Sequence, residues 1–143
     1  MTEKSGNKPN IPFADARRFV VTGSASGIGR AVHDDLAGRG YQVLGIDRVD
    51  ADVVADLGTA DGRAAAVGAV TEWCGGVLHG LVPCAGVAGL PGRPGALLVS
   101  VNYFGTVRLI EGLRVPLAAG SGSVVAISSN STTCQPGFSL ELV

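Results

Sequence analysis

The chain has 143 residues, of which 46% are apolar and 16% are charged, and its formal net charge is −1. This composition is typical of a single globular domain and excludes both a disordered chain and a coiled coil. Because lysine and arginine form no cluster and no run of about 18 apolar residues occurs, neither nucleic acid nor a membrane is an expected partner.

The first half of the chain predicts two strands that flank a helix. Residues 1–16 lack the apolar segment of a signal peptide and are expected to form a flexible tail. Residues 19–21 form a short apolar run that is typical of a parallel strand covered on both faces. A helical pattern of apolar residues follows over residues 28–36 and stops at Gly38, and residues 41–46 then predict the second strand.

The second half continues the same alternation. The remaining predicted elements are a brief strand at 53–54, an alanine-rich helix at 59–73, a strand at 78–84, a helical stretch at 96–119 and a fifth strand at 123–127. Thr59 is the expected N-cap of the alanine-rich helix. Alternating strands and helices predict an α/β fold, a Rossmann-type doubly wound parallel sheet with right-handed crossovers, in one domain at residues 17–143.

The turn between the first strand and the first helix contains three glycines, in the segment VVTGSASGIGRAV. Gly23 can make a tight turn, Gly27 can let the backbone approach a phosphate, and Gly29 can let the helix pack closely on the strand. The N-terminus of a helix offers free N–H groups and a positive dipole end, which suit a pyrophosphate. This context favours a dinucleotide site over a plain tight turn, and the lack of a following Gly-Lys-Ser/Thr excludes a P-loop.

Two aspartates extend this hypothesis to the rest of a dinucleotide. Asp47 stands at the end of the second strand, about 20 residues past the glycines, where a carboxylate can accept hydrogen bonds from the adenosine ribose. Since this carboxylate would repel a 2′-phosphate, NAD is favoured over NADP, although Arg48 beside it weakens the preference. Asp56 is a candidate to meet the adenine amino group. The alternatives are a strand-end turn residue for Asp47 and a helix-capping or loop carboxylate for Asp56.

The cysteines indicate the redox environment of the chain. Cys74, Cys84 and Cys134 form no close pair and leave an odd number, which favours a reduced, cytoplasmic setting. Cys84 lies in a strand-like run and is predicted to be a small buried apolar residue. The two histidines stand in no metal-ligand spacing, so no metal site is predicted.

Several motifs in chain order resemble the classical short-chain dehydrogenase/reductase family. The spacing Thr22-Gly23-x-x-x-Gly27-x-Gly29 is followed by Ala55-Asp56-Leu57, Cys84-Ala85-Gly86, Val101-Asn102 and Ile127-Ser128-Ser129, so that the resemblance covers residues 18–130. The segments GIDR, LVPCAG and SVNYFGT are most similar to the 3α-hydroxysteroid dehydrogenase/carbonyl reductase group, which includes enzymes that resemble coniferyl-alcohol dehydrogenases. Pro83-Cys84 replaces the family's usual Asn-Asn, a departure that fits this group.

The resemblance implies hydride transfer between a nicotinamide cofactor and a small-molecule substrate, which would be a secondary or aromatic alcohol, a steroid or the matching ketone. It also implies that Ser129, or Ser128 if the register differs by one residue, orients the substrate oxygen, and that Asn102 orders water in a proton relay. The residues that it assigns to cofactor binding are Gly23, Ser26, Gly27, Ile28, Gly29, Asp47, Asp56, Leu57, Ala85 and Gly86. Full-length relatives are expected to be homo-oligomers.

The family's Tyr-x-x-x-Lys acid/base pair does not occur among the 143 residues. Tyr41 and Tyr103 are the only tyrosines, neither is followed by a lysine at the fourth position, and Lys4 and Lys8 are the only lysines. We therefore expect the N-terminal part of an enzyme, with a sheet truncated after the fifth strand, an exposed apolar edge and no activity of its own. A non-catalytic dinucleotide-binding module is the alternative.

Overall fold

The computed structural model describes residues 17–129, in which strands and helices alternate. The elements are β1 (Arg18–Thr22), α1 (Gly27–Gly38), β2 (Gln42–Asp47), β3 (Val53–Val54), α2 (Ala60–Cys74), β4 (Gly80–Pro83), α3 (Gly95–Leu98), a π-helical segment (Val99–Phe104), α4 (Gly105–Gly112), α5 (Arg114–Ala119) and β5 (Ser123–Val124). The predicted tail at 1–16, the end of the predicted domain at 130–143 and Cys134 lie outside the described residues. Every helix within the described residues is too short or too polar to cross a bilayer.

All five strands are parallel and form one sheet in the order β3-β2-β1-β4-β5. Thr22, the last residue of β1, pairs with Ile46 of β2 on one side and with Pro83 of β4 on the other. The chain winds outward from β1 in one direction and then, from β4, in the other, which confirms the predicted Rossmann-type α/β fold. In such sheets ligands bind beyond the carboxyl ends of the strands, where the winding reverses.

The core lies between the sheet and the helices that cover it. Val20 and Val21 of β1 are fully buried, as expected for the central strand of a parallel sheet. On α2 the buried residues Ala66, Val70 and Cys74 recur at every fourth position and so form one face of the helix. The other large members of the buried cluster come from the strands, from the segments before α2 and β4, and from the helical stretch: Leu44, Ile46, Leu57, Leu78, Leu81, Leu109, Leu113 and Leu117.

The helical stretch predicted at 96–119 is interrupted twice. The chain forms the π-helical segment between α3 and α4, and at Leu113 the backbone leaves the helical region, with φ −101° and ψ 8°. Pro116 explains the second interruption, because proline has no N–H to donate to a carbonyl of the preceding turn. It is tolerated in the first turn of α5, where no such bond is needed, and its own carbonyl accepts a hydrogen bond from the Leu78 N–H at 2.9 Å.

The strands β4 and β5 are shorter than the sequence predicts. The Leu78 N–H is bonded to α5 instead of to a neighbouring strand, so β4 begins only at Gly80. Within the described residues β5 has a partner strand on one side only, and it keeps two residues instead of five. Thr59 caps α2 as predicted, since its Oγ1 accepts a hydrogen bond from the Gly62 N–H at 3.0 Å.

Candidate functional site

A cavity of about 340 Å³ opens at the carboxyl ends of β1, β2 and β4, where the winding of the sheet reverses. Its walls are the turn after β1, the end of β2, the segments after β3 and β4, and two residues of the helical stretch. All ten residues assigned to a cofactor line this cavity: Gly23, Ser26, Gly27, Ile28, Gly29, Asp47, Asp56, Leu57, Ala85 and Gly86. The structure thus gathers four separate stretches of the chain around one space.

The three glycines of the turn are needed for three different reasons. Gly23 has φ +69°, and a Cβ there would lie 2.9 Å from the Ala85 nitrogen, so a side chain would collide with the segment after β4. A Cβ on Gly29 would lie 2.1 Å from the carbonyl oxygen of Gly23. Because glycine has no side chain, α1 can begin directly against the turn. Gly27 has φ +54° and no atom within 4 Å of its missing Cβ, so it leaves an open face on the cavity.

The N-terminus of α1 has no capping side chain. Ser26 is the N-cap residue, but its hydroxyl makes no capping hydrogen bond, and the first turn contains no acidic residue. In contrast, α2, the next helix along the chain, has the Thr59 cap and an acidic residue, Asp61, in its first turn. The free N–H groups and the positive dipole end of α1 therefore remain available at the cavity for an anionic group.

The carboxylate of Asp47 bridges the end of β2 and the glycine turn. Its Oδ2 accepts a hydrogen bond from the Ala25 N–H at 3.0 Å, and its Oδ1 accepts one from the Arg48 N–H at 2.6 Å. These two hydrogen bonds fix the side chain at the cavity wall. Each carboxylate oxygen has a further lone pair that can accept a hydrogen bond from a ligand hydroxyl.

Asp56 is a loop carboxylate that also lines the cavity. Its Oδ1 accepts a hydrogen bond from the Gly58 N–H at 2.9 Å, which makes it a loop carboxylate in the turn that leads to α2. The same residue lines the cavity, next to the buried Leu57. The turn bond therefore holds the carboxyl group of Asp56 in the cavity wall.

The segment after β4 is held at the cavity by two side chains. Thr22 of β1 is almost fully buried, and its Oγ1 accepts a hydrogen bond from the Ala85 N–H at 2.9 Å. Asn102 of the π-helical segment pairs with both backbone groups of Val87: its Oδ1 accepts from the N–H at 2.8 Å, and its Nδ2 donates to the carbonyl at 3.0 Å. Sequence reasoning missed Thr22, although a polar residue inside an apolar strand could have indicated it. Val87 gave no signal.

Cys84 is not the buried apolar residue that the sequence predicted. The strand β4 ends at Pro83, so Cys84 stands where the strand changes into the loop; it is half-buried and lines the cavity. Partial burial also raises the pKa of its thiol above the usual value, because the thiolate is desolvated there.

Ser129 is the predicted site residue farthest along the described chain. It is exposed and follows the end of β5 by five residues, whereas the cavity wall is formed by residues 23–101. Asn102 reaches the site through Val87. Among the described residues no group of three histidine, cysteine, aspartate or glutamate side chains is placed to hold a metal ion.

Comparisons with known proteins agree with this fold. The family model described as short chain dehydrogenase matches residues 17–139. A 3α-hydroxysteroid dehydrogenase/carbonyl reductase of Comamonas testosteroni is 38% identical over 120 residues, which are 84% of this chain and 46% of that protein. A coniferyl-alcohol dehydrogenase of Pseudomonas sp. is 35% identical over 120 residues, which are 79% of this chain and 44% of that protein.

A solved structure is also similar. The 3α-hydroxysteroid dehydrogenase of Pseudomonas sp. B-0831, complexed with NADH, superimposes with a TM-score of 0.76 at 49% sequence identity. The match covers 84% of this chain and 50% of that one. The chain therefore spans about half the length of the relatives that it matches.

Proposed function

The chain belongs to the short-chain dehydrogenase family, and from that premise we propose that it supplies the NAD-binding part of an oxidoreductase. The reaction is the interconversion of a secondary or aromatic alcohol, or a steroid alcohol, and its carbonyl compound, in a cytoplasmic setting. The observation that carries the proposal is the cavity beside the uncapped N-terminus of α1, which is lined by every residue assigned to the cofactor.

The cavity wall has the chemistry that a nicotinamide dinucleotide requires. The free N–H groups of α1 would bind the pyrophosphate. Gly27 would leave room for it, since a Cβ at this position would occupy the space that a phosphate needs. Asp47 would accept hydrogen bonds from the adenosine ribose, Asp56 and Leu57 would lie against the adenine, and Ile28 would lie on the nicotinamide side. When bound, the nicotinamide supplies the hydride acceptor or donor.

Asp47 supports NAD as the cofactor rather than NADP. Its carboxylate lines the cavity and is fixed by the Ala25 and Arg48 N–H groups, so it cannot turn away easily from a ribose 2′-phosphate. Like charges at contact distance repel most strongly where water is partly excluded. Arg48, which also lines the cavity, reduces this repulsion without removing it.

The residues proposed for the chemistry are Ser129 and Asn102. Ser129 would donate a hydrogen bond to the substrate oxygen, and Asn102 would order water for proton transfer while its amide holds Val87. Since the 143 residues contain no Tyr-x-x-x-Lys pair, we propose that this chain alone binds the dinucleotide and does not turn over substrate.

A fluorescence titration of the whole chain with NADH and with NADPH tests the proposal. We expect saturable binding of NADH in the micromolar range, weaker binding of NADPH and no reduction of NAD by a 3α-hydroxysteroid or coniferyl alcohol. The variant Asp47→Asn should narrow the difference between the two cofactors. A chain that binds neither cofactor, or one that turns over an alcohol, would contradict the proposal.

A non-catalytic dinucleotide-binding module is the second candidate, and the missing Tyr-x-x-x-Lys pair favours it. The two candidates differ in whether a carbonyl compound binds next to the cofactor. Quenching of bound NADH by a ketosteroid, weakened in Ser129→Ala, indicates the remnant of a substrate site. If no ketone changes the fluorescence of bound NADH, the result indicates a non-catalytic dinucleotide-binding module.

A further inference from the structure

Asp52 belongs to none of the motifs described above and stands in the turn between β2 and β3. Its Oδ2 accepts a hydrogen bond from the backbone N–H of Gly45, 2.7 Å away. The short strand β3 pairs only with Ile46 and Asp47, so the carboxylate serves as the hydrogen-bond partner of β2 just before that ladder begins.

The glycine turn also packs against Gly45, through Ser24. A Cβ on Gly45 would lie 2.6 Å from the Oγ of Ser24 and 3.3 Å from the Oδ2 of Asp52, so both side chains pack against the face of the strand that the missing Cβ leaves open. Ser24 is nine-tenths buried, and its hydroxyl has no hydrogen-bond partner. The next residue, Ala25, donates the N–H that holds Asp47.

We propose that Asp52 is a positioning residue that fixes Asp47 and thereby sets the preference for a dinucleotide without a 2′-phosphate. This inference rests on the proposed function. Gly45 precedes Asp47 by two residues in β2, so a shift of the backbone at Gly45 is carried along the strand to Asp47. If the Gly45 N–H loses its partner, the end of β2 can shift and the Asp47 carboxylate moves relative to the Ala25 N–H.

The turn that contains Asp52 has an unfavourable backbone conformation, which the hydrogen bond from the Gly45 N–H helps to hold. Asp50 adopts φ +47°, a left-handed conformation that an aspartate occupies at a cost in energy. His33 of α1 places its Nε2 3.9 Å from the same Oδ2 of Asp52. The carboxylate of Asp52 therefore stands between β2, the strained turn and the helix whose N-terminus faces the cavity.

The test compares the dissociation constants of NADH and NADPH for the whole chain and four variants. Asp52→Ala removes the acceptor of the Gly45 N–H, and the preference for NADH should fall by about tenfold. Asp52→Asn keeps an acceptor oxygen and should hold the preference within about twofold of the wild-type value. Asp52→Glu displaces the carboxylate by one methylene and should give an intermediate loss, which serves if Asp52→Ala does not fold. Asp35→Ala, which removes an exposed carboxylate on α1 that pairs with Arg39, is the matched control and should leave the preference unchanged.

The ratio of the two dissociation constants separates positioning of Asp47 from a general loss of stability, because a less stable fold weakens the binding of both cofactors equally. An unchanged ratio in Asp52→Ala and Asp52→Glu would overturn the inference, and so would an equal loss in Asp52→Ala and Asp52→Asn, which would assign the effect to charge instead of the hydrogen bond. Failure of the wild-type chain to bind NADH would overturn the proposed function and this inference together.

Discussion

The turn after β1 and the segment around β5 lie at the same sheet but are held very differently. β1 is paired on both sides, its Val20 and Val21 are fully buried, and the loops beside it are fixed by side chains such as Thr22. β5 pairs with β4 over two residues, and the apolar residues Val124, Val125 and Ile127 are 37%, 57% and 48% exposed. The elements around the cavity are thus restrained by their own contacts, whereas β5, which leads to Ser129, has one neighbouring strand within the described residues.

The largest expected effect comes from breaking the well-held region at Gly29. In Gly29→Ala the new Cβ would lie 2.1 Å from the Gly23 carbonyl oxygen, so the turn must open, and we expect a loss of about 3 kcal/mol in the free energy of unfolding. NADH binding should disappear with it. Gly38→Ala is the control: nothing lies within 4 Å of its Cβ, and alanine should raise stability by about 0.5 kcal/mol. Equal melting curves for the two variants would contradict the argument.

A smaller effect is expected from releasing the loop after β4. Asn102→Ala leaves the N–H and the carbonyl of Val87 without their side-chain partner, at a cost of about 1 to 2 kcal/mol, since water can replace part of the pairing. The dissociation constant of NADH should rise about fivefold. Asn102→Asp keeps the acceptor and loses the donor, so its dissociation constant for NADH should lie between those of Asn102→Ala and the wild-type chain. If Asn102 acts in proton transfer alone, both variants would bind NADH like the wild-type chain.

Substitutions in the exposed segment around β5 should change the self-association of the chain more than its free energy of unfolding. The double variant Val125→Lys and Ile127→Lys places charges in the exposed segment directly after β5, and the free energy of unfolding should change by less than about 0.5 kcal/mol. Light scattering should show less concentration-dependent association, because charges on an edge strand oppose pairing between sheets. Val115→Lys alters an even more exposed valine, 75% exposed on α5, and should not reduce association. A wild-type chain that stays monomeric at high concentration would refute the comparison.

The smallest effect is a pH dependence at the start of β1 and β4. The Nδ1 of His79 accepts a hydrogen bond from the Arg18 N–H at 3.0 Å, and burial, together with the charges of Arg17 and Arg18, lowers the pKa of His79 below its usual 6.5. The folded chain therefore binds fewer protons than the unfolded chain, so stability is full above about pH 6.5 and falls as the pH drops toward the folded pKa. Denaturant unfolding between about pH 8 and pH 5 should show this slope. His79→Gln should flatten it, and identical slopes would contradict the assignment.

The elements that the sequence predicted well are those whose signals are local. Gly23 and Gly29 are close together in the chain, and they show the tight turn and the close helix approach expected from their positions. Thr59 caps α2 for the same reason, since its partner is only three residues away. Such features depend little on distant parts of the chain.

The features that the sequence did not predict depend on contacts between distant residues. The π-helical segment carries Asn102 to Val87, 15 residues earlier, and the shortened β4 reflects the bond from the Leu78 N–H to Pro116. No periodicity encodes either contact. The bond from the Gly45 N–H to Asp52 spans only seven residues, but it joins a side chain to the backbone across a turn, and hydrophobic patterns do not detect such bonds.

Backbone amide NMR of the whole chain during a titration with NAD tests the central claim most directly. If the glycine turn and the N-terminus of α1 hold the dinucleotide phosphates, the largest saturable shifts should occur at the N–H groups of Gly27, Ile28 and Gly29, with smaller shifts at Ala85 and Gly86. Shifts confined to other parts of the chain, with these amides unmoved at saturation, would contradict the account.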